Sequence, residues 1–375
     1  MRPQKPCWMS YCGQNGMPHA PTPLDRLLAV LKTPTLAAEL APQTELWSEI
    51  KRLAEIHRFS GLLAYSTSAS LPQSERSWRD RVLMLHHHRH RVFLDQQQRF
   101  SEAFSRQGMA CVSLKGPILA ERFHAVPFLK LSHDLDLLVR CSDIPAATDL
   151  MSSLGFELLG DFPWPLYRRY AHHLNFAGKG EVRMVEVHYA LKAGAHLLRG
   201  EEFIDRAVSW RSSGLACRIL APADEVFYLI IHAAGHAFHR LRWLYDARAA
   251  TKTLSEADKA RVRELAIQMG LTGYFVAADM GCREFFGESL GLDLSGFRRP
   301  WLWSTLETRH LRTMTQREEY SFAARTLDVC RMSGSPLSAA RLCLQSGSGK
   351  LPTLLYRFTG GSVGPDVLAR TIRNN

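Results

Sequence analysis

The run His133-Asp134-Leu135-Asp136-Leu137-Leu138-Val139 sets two carboxylates two residues apart inside a short apolar segment. Rich in Leu and Val and bounded by polar residues, it reads as a buried strand. Side chains alternate faces along a strand, so Asp134 and Asp136 point one way while Leu135, Leu137 and Val139 enter a core. Two acids on one face repel each other unless a cation lies between them. Magnesium, which takes carboxylate and phosphate oxygens, is the natural occupant. The competing reading pairs one Asp with an arginine and leaves the other solvated at a strand end.

The segments on either side alternate strand and helix. Residues 110–114 read as a short strand ended by Lys115-Gly116-Pro117, and residues 118–124 as a helix, because Gly followed by Pro marks a strand-turn-helix. A helix over 143–154 follows, then two strands at 170–176 and 182–188 joined by a hairpin turn at Gly178-Lys179-Gly180. On the last strand Glu186 and His188 share one face, and Val185 and Val187 the other. Before this block, residues 24–69 show helical periodicity broken by Pro34 and Pro42. Residues 78–107 read as one long helix with Val82, Leu85, Val92, Leu94, Phe100 and Phe104 as its apolar members. That helix carries His86-His87-His88-Arg89-His90-Arg91, a basic solvent face rather than a metal site, because residues one or two apart on a helix do not face one another. From Pro222 the chain turns helical again, with one amphipathic helix expected over 224–250. The divisions are a disordered leader (1–23), an N-terminal helical region (24–108), an α/β core (109–221), a C-terminal helical domain (222–345) and a loosely packed tail (346–375).

With 375 residues, 46% hydrophobic and 22% charged, the chain has the composition of an ordinary globular protein. No apolar stretch reaches the length of a membrane span. The Pro- and Gly-rich first twenty residues lack the apolar centre of a signal peptide. Eight scattered cysteines without metal-ligand spacing point to reduced thiols in a cytoplasmic protein. The formal charge is +11, and residues 297–375 hold twelve Lys/Arg against five Asp/Glu. That segment is either a solvated Arg-rich surface or an attractor of polyanions; no nucleic-acid-binding motif supports the second reading.

If the strands of Asp134/Asp136 and Glu186 are neighbours, three acids gather around metal. Nucleotidyl transfer needs such a set, with magnesium activating an acceptor hydroxyl and neutralising the departing pyrophosphate. In order and spacing, Leu114-Lys115-Gly116, Asp134 to Val139, Val185-Glu186-Val187-His188, His232-Ala233-Ala234-Gly235-His236 and Leu241 to Asp246 resemble the nucleotidyltransferases of the DNA polymerase β superfamily. Within it they look more like a bacterial branch often described only as uncharacterised nucleotidyltransferases. The resemblance covers about residues 24–340. It implies an α+β fold, a small mixed sheet flanked by helical regions at both ends. It also implies that Asp134, Asp136 and Glu186 hold metal and serve catalysis, with Lys115, Gly116 and Lys130 at the nucleotide. The implied cofactor is Mg²⁺, with Mn²⁺ as a substitute. The implied partners are an NTP and an acceptor of unknown type, whether small molecule, anionic group, peptide or nucleic-acid end. Gly116 is followed by Pro117 where the superfamily has Gly-Gly or Gly-Ser, so Lys115 or a backbone amide would replace a serine hydroxyl on the triphosphate. Asp136→Asn is expected to abolish activity and leave the fold intact.

His232 and His236 stand four apart on one helix face. A protease would need Glu where Ala233 stands. A metal set of His232, His236 and Asp246, giving a hydrolase, remains an alternative, as do polar groups lining a cleft where Arg242 meets phosphate, and histidines satisfied in a core. His188, beside a carboxylate, is a candidate proton carrier or a structural hydrogen-bonding group. Arg122 reads as an exposed surface charge. The alternative to an enzyme is a nucleotide-binding module that keeps the fold without catalysis.

Overall fold

The computed structural model describes residues 21–160, 171–193, 196–212 and 214–297, together with Val329 and Met332. The expected leader up to residue 20, the tail from 346 and nearly all of the basic C-terminal segment lie outside the described residues.

Helix α1 (Pro23–Lys32) starts where Thr22 and Asp25 form a reciprocal capping box with Pro23 at the first helical position. Pro34 ends it, and α2 (Ala37–Leu40), α3 (Thr44–Ile56) and α4 (Ser60–Ser66) follow as short pieces. The long helix α5 (Arg76–Arg106) forms as expected, but its faces differ from the sequence reading. His86 and His90, four apart, turn inward and are buried, while Leu85 is exposed. His86 lies beside Ser60 and Gly61, and His90 Nε2 lies 2.6 Å from Glu121 Oε1. These contacts bury two of the four histidines assigned to solvent; His87 and His88 stay outside.

The centre is a seven-stranded mixed sheet in the order β3-β4-β5-β2-β1-β9-β8. Its strands are β1 (Val112–Ser113), β2 (Leu135–Leu138), β3 (Phe156–Leu159), β4 (His173–Gly178), β5 (Met184–His188), β8 (Val208–Ser212) and β9 (Leu215–Ile219). A separate hairpin pairs β6 (Ala190–Ala193) with β7 (His196–Arg199). Helix α6 (Pro117–Phe123) follows β1, α7 (Ile144–Ser153) follows β2, and α8 (Gly200–Arg206) precedes β8. Leu135, Leu137, Val139, Val185 and Val187 enter one core with Phe93, Phe100 and Phe104 of α5 and with α7. Leu138 faces the other way, into a larger core shared with the N-terminal helices and the C-terminal helices α9 (Pro222–Gly235), α10 (Leu241–Thr251), α11 (Glu256–Gln268) and α12 (Thr272–Phe286). The chain is thus α+β, with helices at both ends of a mixed sheet.

The single helix expected over 224–250 is two. Helix α9 stops at Gly235, and Ala237 and Phe238 both take φ of 52°, in the left-handed region. The gain that offsets this strain is burial: Ala237 and Phe238 are fully enclosed, and Phe238 N–H donates to the Ala233 carbonyl. No helix among the described residues is long and apolar enough to cross a membrane. Among the described residues, Cys111, Cys217 and Cys282 are free thiols.

Candidate active site

The site is built on the sheet face opposite α5. Strands β2 and β5 are parallel neighbours, and their register sets Asp136 directly against Glu186 and Leu138 against His188. Asp136 is 2% exposed, and its Oδ1 lies 3.0 Å from Lys115 Nζ and 3.2 Å from His188 Nε2. The same His188 nitrogen lies 3.2 Å from Glu186 Oε2. One ligand atom each from Asp136, Glu186 and His188 falls within 4.8 Å of the others. Asp134, one residue before the start of β2, lines the same cleft outside that tight group.

Lys115 arrives from the turn after β1. That turn is anchored by Leu114 N–H donating to the Asp136 carbonyl, 3.1 Å. Gly116 has φ of 75°, which a residue without Cβ adopts freely, and Pro117 opens α6 directly behind it. Burial and the neighbouring Asp136 both push the Asp134 carboxyl above its ordinary value. Burial would raise Asp136 too, but Lys115 and His188 outweigh it and hold the carboxyl well below its usual range. His188 is raised: burial opposes its charge, and hydrogen bonds to Asp136 and Glu186 more than compensate. Burial also works against charge on Lys115, and Asp136 and the acids around it reverse that, keeping the ammonium charged.

The face holding Asp136 is roofed by α9 and α10, leaving a cleft of about 580 Å³. Lys115, Lys130, Asp134, Asp136 and Glu186 line it, joined by Arg58 and Arg240, two residues that sequence reading did not single out. Arg58 precedes α4 in a left-handed conformation with φ of 62°, in contact with His133. Arg240 follows the strained Ala237-Phe238 turn. Burial pulls both guanidiniums below their ordinary value, with Asp134 acting in the opposite direction on each. Charges of this kind from two distant helical regions have no local sequence signal. A positive-φ arginine shows only in three dimensions.

The helical histidines fall differently from the hydrolase alternative. His232 and His236 lie 4.7 Å apart between ring centroids, tilted to one another, and close on Trp243 at 5.4 and 4.8 Å, along the cleft wall. Asp246 does not join them as a ligand. Its Oδ1 lies 2.9 Å from both Arg242 Nε and His124 Nε2, with Lys130 3.8 Å from Oδ2. Despite its burial, the Arg242 and Lys130 charges, helped by the hydrogen bond to His124, hold Asp246 well below the carboxylate range. Neither close group of potential ligands among the described residues contains His232 or His236. Tyr245 packs against Phe59, His124 and Phe286. Arg122, expected at the exposed surface, is instead half-buried and ion-paired with the buried Glu225.

The donor chemistry of Asp134, Asp136 and Glu186 suits a hard divalent cation, since oxygens are available from all three side chains. Lys115 occupies one edge of Asp136, so a bound ion would share that carboxylate with the ammonium.

The family described as uncharacterised nucleotidyltransferase matches residues 43–287, about two thirds of the sequence, and the chain belongs to that family. Among solved structures, the chain is similar to that of the antibiotic-resistance factor ANT(2'')-Ia. Identity is 12% and the TM-score 0.34, over 48% of this chain and 95% of that one. A likeness of that size carries no inference about substrate. No curated protein matches the chain.

Proposed function

We propose that the protein is a magnesium-dependent nucleotidyltransferase that moves an NMP from an NTP to a hydroxyl-bearing acceptor. The observation that carries this reading is the pairing of Asp136 with Glu186 on adjacent parallel strands at the floor of a cation-walled cleft. In it, Asp134, Asp136 and Glu186 hold the metal, whose chemistry is to polarise the phosphates and lower the pKa of the acceptor hydroxyl. Glu186 receives the hydroxyl proton as the acceptor oxygen attacks the α-phosphorus and pyrophosphate leaves, while His188 hydrogen-bonds Asp136 and Glu186 and holds them in place. Lys115, Lys130, Arg58 and Arg240 bind the polyphosphate, supplying the charge that a serine at position 117 would have complemented. His232, His236 and Arg242 line the acceptor side.

The test is incubation of the full chain with labelled NTPs, Mg²⁺ and a cell extract, followed by a search for labelled product and released pyrophosphate. Absence of both transfer and nucleotide binding with any divalent metal refutes the reading. A second reading, a nucleotide-binding module without catalysis, is favoured by Pro117 and by the Lys115 ammonium already seated on Asp136. It is supported if NTP raises the melting temperature without turnover.

A further inference from the structure

Three imidazoles converge at one end of β4 and β5, beside the carboxylates. His173 of β4 and His188 of β5 are direct cross-strand partners, and His172 immediately precedes β4. Ring centroids are 4.2 Å apart for His172 and His173, 5.0 Å for His173 and His188, and 5.6 Å for His172 and His188. One ring nitrogen of each lies within 4.8 Å of one from the other two. His188 Nε2 is committed to Asp136 and Glu186, which leaves Nδ1 as its remaining nitrogen. That Nδ1 is buried with no partner, and so is Nδ1 of His173. Buried polar nitrogens are normally satisfied, so two orphans in one cluster call for an occupant.

We propose that His172, His173 and His188 form a second metal site, selective for zinc or a similar transition-metal ion and separate from the carboxylate set. Imidazole suits zinc, whereas magnesium takes oxygen ligands, so two adjacent sites on one sheet face would sort their ions by donor type. Three imidazoles with water in the fourth position are an established zinc set. A histidine that binds metal commonly donates its other N–H to a carboxylate, and His188 already does so toward both Asp136 and Glu186. A doubly protonated His188 would instead leave its Nδ1–H buried without an acceptor. Nitrogens around tetrahedral zinc stand about 3.4 Å apart, so the rings close by at most about 1.4 Å on filling. The filled site would fix the His188 tautomer and, through it, the positions of Asp136 and Glu186.

The test uses tag-free full chain stripped with chelator and titrated with Zn²⁺ alone and Co²⁺ alone, with no nucleotide present. The readout is therefore independent of whether the protein transfers nucleotides. The expected result is one Zn²⁺ per chain and, for Co²⁺, the intense visible bands of a four-coordinate site. His172→Gln and His173→Gln should each weaken Zn²⁺ at least about 100-fold, and Glu186→Gln, which takes away the charge of a carboxylate supporting His188, about tenfold. Circular dichroism checks that each variant folds, and the Co²⁺ spectrum of the unaltered chain decides the matter if one does not. The proposal is overturned by the absence of saturable Zn²⁺ binding or by the weak bands of six-coordinate Co²⁺. Binding that survives His173→Gln and is lost in Glu186→Gln also overturns it, because the ion would then sit among the carboxylates.

Discussion

Asp136→Asn should destabilise the protein as well as inactivate it, contrary to what its near-identical volume suggests. Asp136 is 2% exposed and holds Lys115, whose side chain is 15% exposed, at 3.0 Å and the buried His188 at 3.2 Å. Removing one partner of a buried pair costs about 3–5 kcal/mol because the other charge is left without compensation. The amide keeps an oxygen acceptor, and Glu186 still faces His188 at 3.2 Å, so the lower end, about 3 kcal/mol, applies. At about 2 °C per kcal/mol for a domain of this size, the melting temperature falls by about 6 °C. Urea unfolding at neutral pH of the unaltered chain, Asp136→Asn, Lys115→Met and the double variant measures the coupling directly. The double variant removes both charges and should recover at least about 2 kcal/mol relative to the sum of the single changes. Strictly additive losses, or an Asp136→Asn protein as stable as its parent, would show that Lys115 does not depend on this carboxylate.

Acid should destabilise the fold well before carboxylates titrate. Burial lowers His57 and His133 to about 3 and His86 to about 4, from an unfolded value near 6.5. The unfolded chain therefore binds more protons below pH 6.5, and stability falls as pH drops through that window. His57 alone, fully buried, accounts for about 2 kcal/mol at about pH 5, so His57→Gln should flatten the pH dependence of the urea midpoint. Gly61→Ala should cost about 2 kcal/mol, since a Cβ there would meet the Leu129 carbonyl oxygen at 2.9 Å and His86 Cε1 at 2.7 Å; a melt close to the parent's contradicts that packing. Arg58→Gln should weaken NTP binding about tenfold with little change in melting temperature, as followed by calorimetric titration. Equal affinity would remove Arg58 from the polyphosphate site.

Local periodicity made much of the central fold legible. The alternation from Asp134 to Val139 assigns an acidic and an apolar side, and the Gly116-Pro117 pair marks where β1 turns into α6. The same reasoning failed at 236–240, where helical periodicity continues through a left-handed break. Burial of Ala237 and Phe238 outweighs local preference there. It failed on α5 as well, because a histidine run carries no sign of which members meet Ser60 or Glu121 across the fold.

From residue order alone came the carboxylate spacing on β2, the pattern of the family and the helical flanks, since these depend on contacts between near neighbours in the chain. Which strand lies beside β2, and so which acid faces Asp136, came from the parallel register with β5, fifty residues away. The convergence of Arg58 with Arg240 and of His173 with His188 likewise arises when distant segments pack on one sheet face. Register and packing are settled by burial summed over the whole core, and no single segment contains that sum.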